Sequence, residues 1–410
     1  MTMNYSFFLT HLCLCAALLS SCELFGGGDT GPGGGEVVWK VENQNTLTVS
    51  TQPLINNGKV YFIQDSQLKA YTLETGKRLW STQLCSTVRS CDYSRAILHN
   101  DDLLFIDQGF TIKAISKASG VVRWSTQITT DATEVSGIGS PVMSQDEDYL
   151  YAGRRGYVLQ VRKSDGAVTR RYPIDRLVPE GVSQGATEPV YSPFGDGILY
   201  VPGSSFDRTT PGEERYRGNL FAFEALTGEL IWELPVEFPI DDIRTEQPGD
   251  SVLVSPPIYD IEVTESSIVL LQGKAIVSVD REKGTINWVN NFFDSGFDVG
   301  LAVDDQAIYA ASIGTYAHKL DLTTGEELWR RDIYYSNTSI PTVQNNRLYF
   351  TNSGGGDIWV LDTSSGKTIY NKLPPGYKTD SHDIYISSLG VGEGYMVNVG
   401  SKAVYCLKVP

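Results

Sequence analysis

Residues able to do chemistry are few in this chain, and their spacing is informative. Cys85 and Cys91 bracket the stretch CSTVRSC. In an exported, oxidising compartment they would close a short disulfide loop worth about 2 kcal/mol in the chain-entropy view. In a reducing one they would remain two free thiols. Cys406 lies in an alternating apolar run and reads as a small core residue. Four histidines, His11, His99, His318 and His382, are scattered rather than paired at ligand spacing, which argues against a zinc site. The acidic stretches SQDEDY (144–149) and DSGFDVG (294–300) offer hard oxygen ligands but lack EF-hand spacing, so they read as solvated loop carboxylates. No Gly-rich phosphate loop follows a strand and opens a helix, and the sequence contains no Cys-x-x-Cys-His haem motif. The expected catalytic, cofactor-binding and metal-ligating sets are therefore empty.

A further reactive position is Cys22. The first 21 residues carry no Asp, Glu, Lys or Arg, and their apolar run from Phe7 to Leu19 has the length of a signal-peptide core, too short to span a bilayer. Leu19-Ser20-Ser21-Cys22 resembles the bacterial lipobox, whose cysteine thiol receives diacylglycerol; residues 1–21 are then a cleaved leader lacking the usual Lys or Arg. Residues 23–34, half of them glycine, cannot pack a core. With Cys22 they make a tether over 22–34 with a reach of roughly 20 Å. The net charge of −16 and pI near 4.7 describe a surface repelled by phosphate backbones, so nucleic acid is excluded as a partner.

The elements that would position any site come from an internal repeat. LKAYTLETGKRLW, LFAFEALTGELIW and AHKLDLTTGEELW share an alternating strand, a turn ending in Gly, and Trp four residues later. The shared glycines are Gly76, Gly120, Gly166, Gly228, Gly284, Gly325 and Gly366, spaced 41 to 62 residues apart. Trp80, Trp124, Trp232, Trp288 and Trp329 follow at Gly+4, while Arg170 and Tyr370 take that place in two copies. A hairpin with a bulge needs one residue at positive φ, which glycine supplies. The Trp supplies an apolar plate between neighbouring sheets. Each unit also contains two further β-type runs, giving four short strands per unit, the pattern of propeller blades.

An eighth unit reaches its third strand in KAVYCLKVP and the chain ends. Gly35 to Trp39, in GEVVWKVE, repeats the Gly+4 spacing, so this stretch is expected to supply the missing outer strand. The expected fold is all-β: an eight-bladed β-propeller of four-stranded antiparallel blades over residues 35–410, monomeric, closed by N-terminal strand pairing in the last blade. Three long segments, 173–189, 203–219 and 237–250, read as loops on a face of the disc.

The turn pattern in Ala222–Trp232 and Asp321–Trp329 resembles the PQQ-type β-propeller repeat, covering essentially the whole mature chain. That family includes quinoprotein dehydrogenases, which bind pyrroloquinoline quinone and calcium in the central funnel, and non-enzymatic outer-membrane assembly lipoproteins of the BamB type. Leader, tether and the lack of other domains look like the second group. The resemblance then implies a lipid-anchored scaffold at the outer membrane facing the periplasm, with no cofactor and with a BamA-type barrel-assembly protein as partner. Ile174-Asp175-Arg176-Leu177 resembles a loop stretch of that group, which marks Asp175, Arg176 and Leu177 as partner-binding candidates. The residues that follow, VPEGVSQGATEP, depart from the acidic run expected there. Two alternatives carry over: a PQQ- and calcium-dependent dehydrogenase lacking the expected vicinal Cys pair, and a surface-exposed propeller binding glycans or peptides.

Overall fold

The computed structural model describes residues 35–42, 51–85, 96–131, 143–174, 182–184, 189–207, 215–241, 251–291, 300–311, 316–333, 339–352, 357–372, 388–400 and 403–410. Among these the chain is all strand and turn, arranged as eight antiparallel blades in a ring. Blade 1 runs through Leu54–Asn56, Lys59–Gln64, Gln67–Thr72 and Arg78–Gln83, from the axis to the rim. The other blades repeat this order.

Burial explains the pattern. Second and third strands are buried on both faces, as in Val60–Ile63 and Val269–Leu271, because each sheet is sandwiched between two neighbours. Outer strands alternate, with one face against the next blade and the other in solvent, as the exposure of Leu79 and Leu328 shows. Half-exposed rims and apolar double-sided interiors are therefore one consequence of stacking sheets radially.

The last blade is assembled from both ends of the described chain. Its strands Gly390–Gly392, Tyr395–Val399 and Ala403–Lys408 are completed by Val37–Glu42, with Trp39 opposite Cys406 and Glu42 opposite Ala403. Gly35 donates its N–H to the Lys408 carbonyl at 3.1 Å and sits at φ 81°, the place of the turn glycine in the other blades. The expected ring closure is what the structure contains.

The segments expected to be loops are partly strand. Blade 4 extends its central hairpin to ten residues per strand, Ile198–Asp207 and Arg215–Glu224, and Val182–Gln184 adds to it opposite Ser205–Asp207. Phe238–Asp241 pairs with Ser251–Val254 in a separate hairpin. Turn-forming residues in the sequence mark only the tips, since backbone groups above the disc still need partners and find them in each other. A crest of sheet thus rises over blade 4.

Candidate functional site

No group of three or more His, Cys, Asp or Glu side chains is placed to hold a metal among the described residues. His99 and His318 lie in blades 2 and 6. His318 pairs through Nδ1 with Glu327 at 2.8 Å, and burial pushes its imidazole below the usual value. Asp146, in the SQDEDY stretch, is engaged by its own turn: Asp148 and Tyr149 donate their N–H groups to Oδ1, and the Tyr151 hydroxyl donates to Oδ2 at 2.6 Å. Its carboxylate is a turn anchor rather than a solvated group.

Cys85 is disulfide-bonded. Its sulfur accepts a hydrogen bond from Gln108 Nε2 at 2.9 Å. Cys91, the expected partner, lies outside the described residues, as do Cys22 and the segment Asp175–Leu177. Cys406 is a fully buried free thiol between blades 8 and 1, and burial pushes it up to about 12.

The repeat residues meet at the blade joints. The Trp of one blade lies over the turn glycine of the next: Trp39 over Gly76, Trp80 over Gly120, Trp124 over Gly166, Trp232 over Gly284, Trp288 over Gly325 and Trp329 over Gly366. Tyr370 covers Gly35 in the same way and completes the circle. The indole N–H of Trp39 donates to the Leu73 carbonyl at 2.7 Å, that of Trp124 to Lys163 at 2.8 Å, and that of Trp329 to Thr363 at 3.0 Å. Two constraints therefore act on Gly76. It sits at φ 62°, and a Cβ there would stand 2.5 Å from Trp39 Cγ.

The joint between blades 3 and 4 differs. Arg170 replaces the Trp and donates through its guanidinium to the Thr227 carbonyl, while Tyr172 donates its hydroxyl to the Ala225 carbonyl. A Cβ on Gly228 would meet the Arg170 Cδ at 3.1 Å, and that flexible chain can move aside. Gly228→Ala should therefore cost little beyond its backbone term, about 1 kcal/mol. Gly76→Ala should cost about 3 kcal/mol, since the indole it would strike is packed on both faces. Urea unfolding of the two variants checks this order.

A second set of joint residues, not marked by the repeat, stands where the second strand ends in blades 1, 2, 3 and 5. Gln64 Nε2 donates to the Glu42 carbonyl at 3.3 Å, Gln108 to Leu84 at 3.2 Å, and Gln272 to Val236 at 3.0 Å. Each amide holds the chain leaving the preceding blade. In blade 3 the equivalent residue is Arg154, which is fully buried and pairs with Asp107 Oδ1 of blade 2 at 2.8 Å. Burial pushes the Asp107 carboxyl up and Arg154 pulls it back down. The signal was present as the Gln ending KVYFIQ and SIVLLQ.

The partner-binding candidates occupy the stretch between two described anchors. Ile174, fully buried, donates its N–H to the Gly156 carbonyl at 2.8 Å, and Val182–Gln184 is the edge strand of the blade 4 crest.

Radial four-stranded sheets locked by Trp-on-Gly joints define a PQQ-type repeat propeller. The family model described as outer membrane protein assembly factor BamB matches residues 29–181 and 272–391, and the chain belongs to that family. It is 22% identical to the outer membrane protein assembly factor BamB of Yersinia pestis over 418 aligned positions, covering 95% of each chain. The crystal structure of BamB from Moraxella catarrhalis superposes with a TM-score of 0.62 at 13% identity, covering 91% of this chain and 99% of that one. The quinohemoprotein alcohol dehydrogenase ADHIIG of Pseudomonas putida HK5 superposes with 0.64 at 11% identity, over 91% of this chain and 76% of that one. These structural likenesses establish the fold.

Proposed function

We propose that this chain is a non-enzymatic, lipid-anchored scaffold of the bacterial envelope that assists assembly of outer-membrane β-barrel proteins from the periplasmic side. Membership of the assembly-factor family carries the reading, supported by an alignment to the Yersinia pestis protein that runs nearly end to end. The quinone-dependent alternative has the shared fold behind it and nothing more.

The geometry fits a tethered docking disc. Gly35 occupies a turn-glycine place, so a tether joining it to a lipidated Cys22 meets the disc on the turn face. The outer strand Val168–Pro173 starts on that same face and ends on the opposite one. Six strand residues separate the two faces by roughly 20 Å. In the sequence that follows, Asp175, Arg176 and Leu177 set a charged pair beside an apolar residue, a combination suited to a polar-rimmed contact.

Affinity purification of the lipidated chain from envelope extracts should recover a barrel-assembly component. Leu177→Asp should reduce that recovery at least tenfold while leaving the circular dichroism spectrum unchanged. Failure of the unaltered chain to recover any such component would remove the assembly reading.

A further inference from the structure

Among the described residues, three turns between a first and a second strand are two residues long: Asn57-Gly58 in blade 1, Asn345-Asn346 in blade 7 and Glu393-Gly394 in blade 8. Both residues of each turn sit at positive φ, 52° and 67° in blade 1, as so tight a hairpin requires. Asn57-Gly58 is also the one place in the sequence where glycine follows asparagine. Both of its residues are exposed, and a Cβ on Gly58 would meet nothing within 4 Å.

The hairpins of blades 1 and 8 lie side by side at the seam that closes the ring. A Cβ on Gly392 would stand 3.3 Å from Ile55 Cβ, and the Gly58 N–H donates to Glu393 Oε2 of blade 8 at 2.9 Å. The backbone nitrogen that follows Asn57 thus has a carboxylate against its proton. That nitrogen can close a five-membered ring on the Asn57 side-chain carbonyl carbon, an attack between joined residues that loses no association entropy. Gly58 leaves the nitrogen uncrowded. Asn345 has the same φ of 52°, but the residue after it is Asn346, whose side chain crowds the equivalent nitrogen.

We propose that Asn57 is a self-modifying site, which deamidates through a cyclic imide with Glu393 of the facing blade as proton acceptor. The Gly58 nitrogen bonds to Asn57 Cγ and gives its proton to the Glu393 carboxylate. The proton passes on to the side-chain nitrogen, the Cγ–N bond breaks, and ammonia leaves. Water then opens the imide at either carbonyl, giving aspartate or isoaspartate. In sum one amide and one water become one carboxylic acid and one ammonia, with no change of oxidation state. Isoaspartate carries the main chain through the side-chain carbon and so adds an atom to a turn of only two residues. That strains both the pairing of Leu54–Asn56 with Lys59–Tyr61 and the bond to Glu393. The modification therefore acts on the seam that strand pairing closes.

The test is incubation of the folded chain at neutral pH, followed by proteolysis and mass spectrometry. The peptide holding Asn57-Gly58 should gain the mass of an amide-to-acid conversion and separate into aspartate and isoaspartate forms. The peptide holding Asn345-Asn346 should convert more slowly, by about tenfold or more. Glu393→Gln keeps a hydrogen-bond acceptor at this exposed position but not a basic carboxylate, and should slow conversion of Asn57 in the folded chain by about tenfold. In urea, where blades 1 and 8 are apart, this variant and the unaltered chain should convert at the same rate. Chain enriched in isoaspartate should show faster amide exchange in Leu54–Asn56 and Gly390–Gly392, the strands next to the two turns. An Asn57 amide that outlasts the Asn345 amide, a Glu393→Gln chain that converts as fast as the unaltered one, or slowing that persists in urea overturns the proposal. Unchanged exchange in the isoaspartate fraction overturns its coupling to the seam.

Discussion

Trp39→Ala is expected to destabilise the protein by about 3–5 kcal/mol and to open the ring at one seam. The indole is nine-tenths buried, is stacked on Tyr71 with ring centroids 5.9 Å apart, lies over Gly76 and donates to the Leu73 carbonyl. All of these partners belong to blade 1, whereas the backbone around Trp39 belongs to blade 8. Trp124 makes the same contacts with Gly166 and Lys163 but joins two blades that remain linked by the chain on both sides. Trp124→Ala should thus lose a similar free energy without singling out the ends of the chain. The discriminating measurement is amide exchange in Ala403–Lys408, the strand that Val37–Glu42 covers. It should accelerate strongly in Trp39→Ala and little in Trp124→Ala, because a strand held only by non-local pairing opens first. Removal of residues 35–42 should go further and leave that edge unpaired and prone to association.

The fold was legible because its repeated unit is marked by residues under two constraints at once. A turn glycine at positive φ that is also pressed by an indole tolerates no other side chain, so Gly76, Gly120 and Gly284 stand out in the sequence together with their Trp. The sequence does not say which blade receives each Trp. That the plate lies over the glycine of the following unit depends on the radial arrangement, not on any local spacing. Gln64, Gln108 and Gln272 were hidden for a related reason: a single polar residue at the end of an apolar run resembles a strand end meeting water. These side chains are buried because the preceding blade closes over them. The crest of blade 4 was misread as loop since Arg215–Asn219 and Gly203–Asp207 carry turn-like and charged residues, although their pairing is set by the hairpin below them. Where two sheets do not face one another, as above the disc, apolar alternation has nothing to record. The partner-binding candidates Asp175–Leu177 rested on resemblance, since three residues carry no periodicity to read.

The second large effect is expected at Asp107 and Arg154. Both side chains are fully shielded from solvent, and the 2.8 Å contact between them joins blades 2 and 3. Asp107 Oδ1 also accepts the Gly109 N–H at 2.8 Å, and Arg154 donates to the Gly153 carbonyl, so the pair is fixed by the backbone on each side. Arg154→Ala removes the charge that offsets burial of the carboxylate and leaves a cavity, and should cost about 3–5 kcal/mol. Asp107→Ala should cost a similar amount by stranding the guanidinium. A paired replacement behaves differently, because the attraction between buried charges does little more than balance their desolvation. Asp107→Leu combined with Arg154→Met should restore most of the lost stability, giving a coupling energy of several kcal/mol in the double-mutant cycle. Equal and additive losses in the single and double variants would instead mean that the two side chains act separately as fillers of the joint. Three sibling joints hold their neighbours with a neutral glutamine, and the charged version at blades 2 and 3 is expected to stabilise no better than they do. Its expected consequence is sensitivity: damage to either partner loosens this joint more than Gln64→Ala loosens the seam at Glu42, where about 1 kcal/mol is at stake.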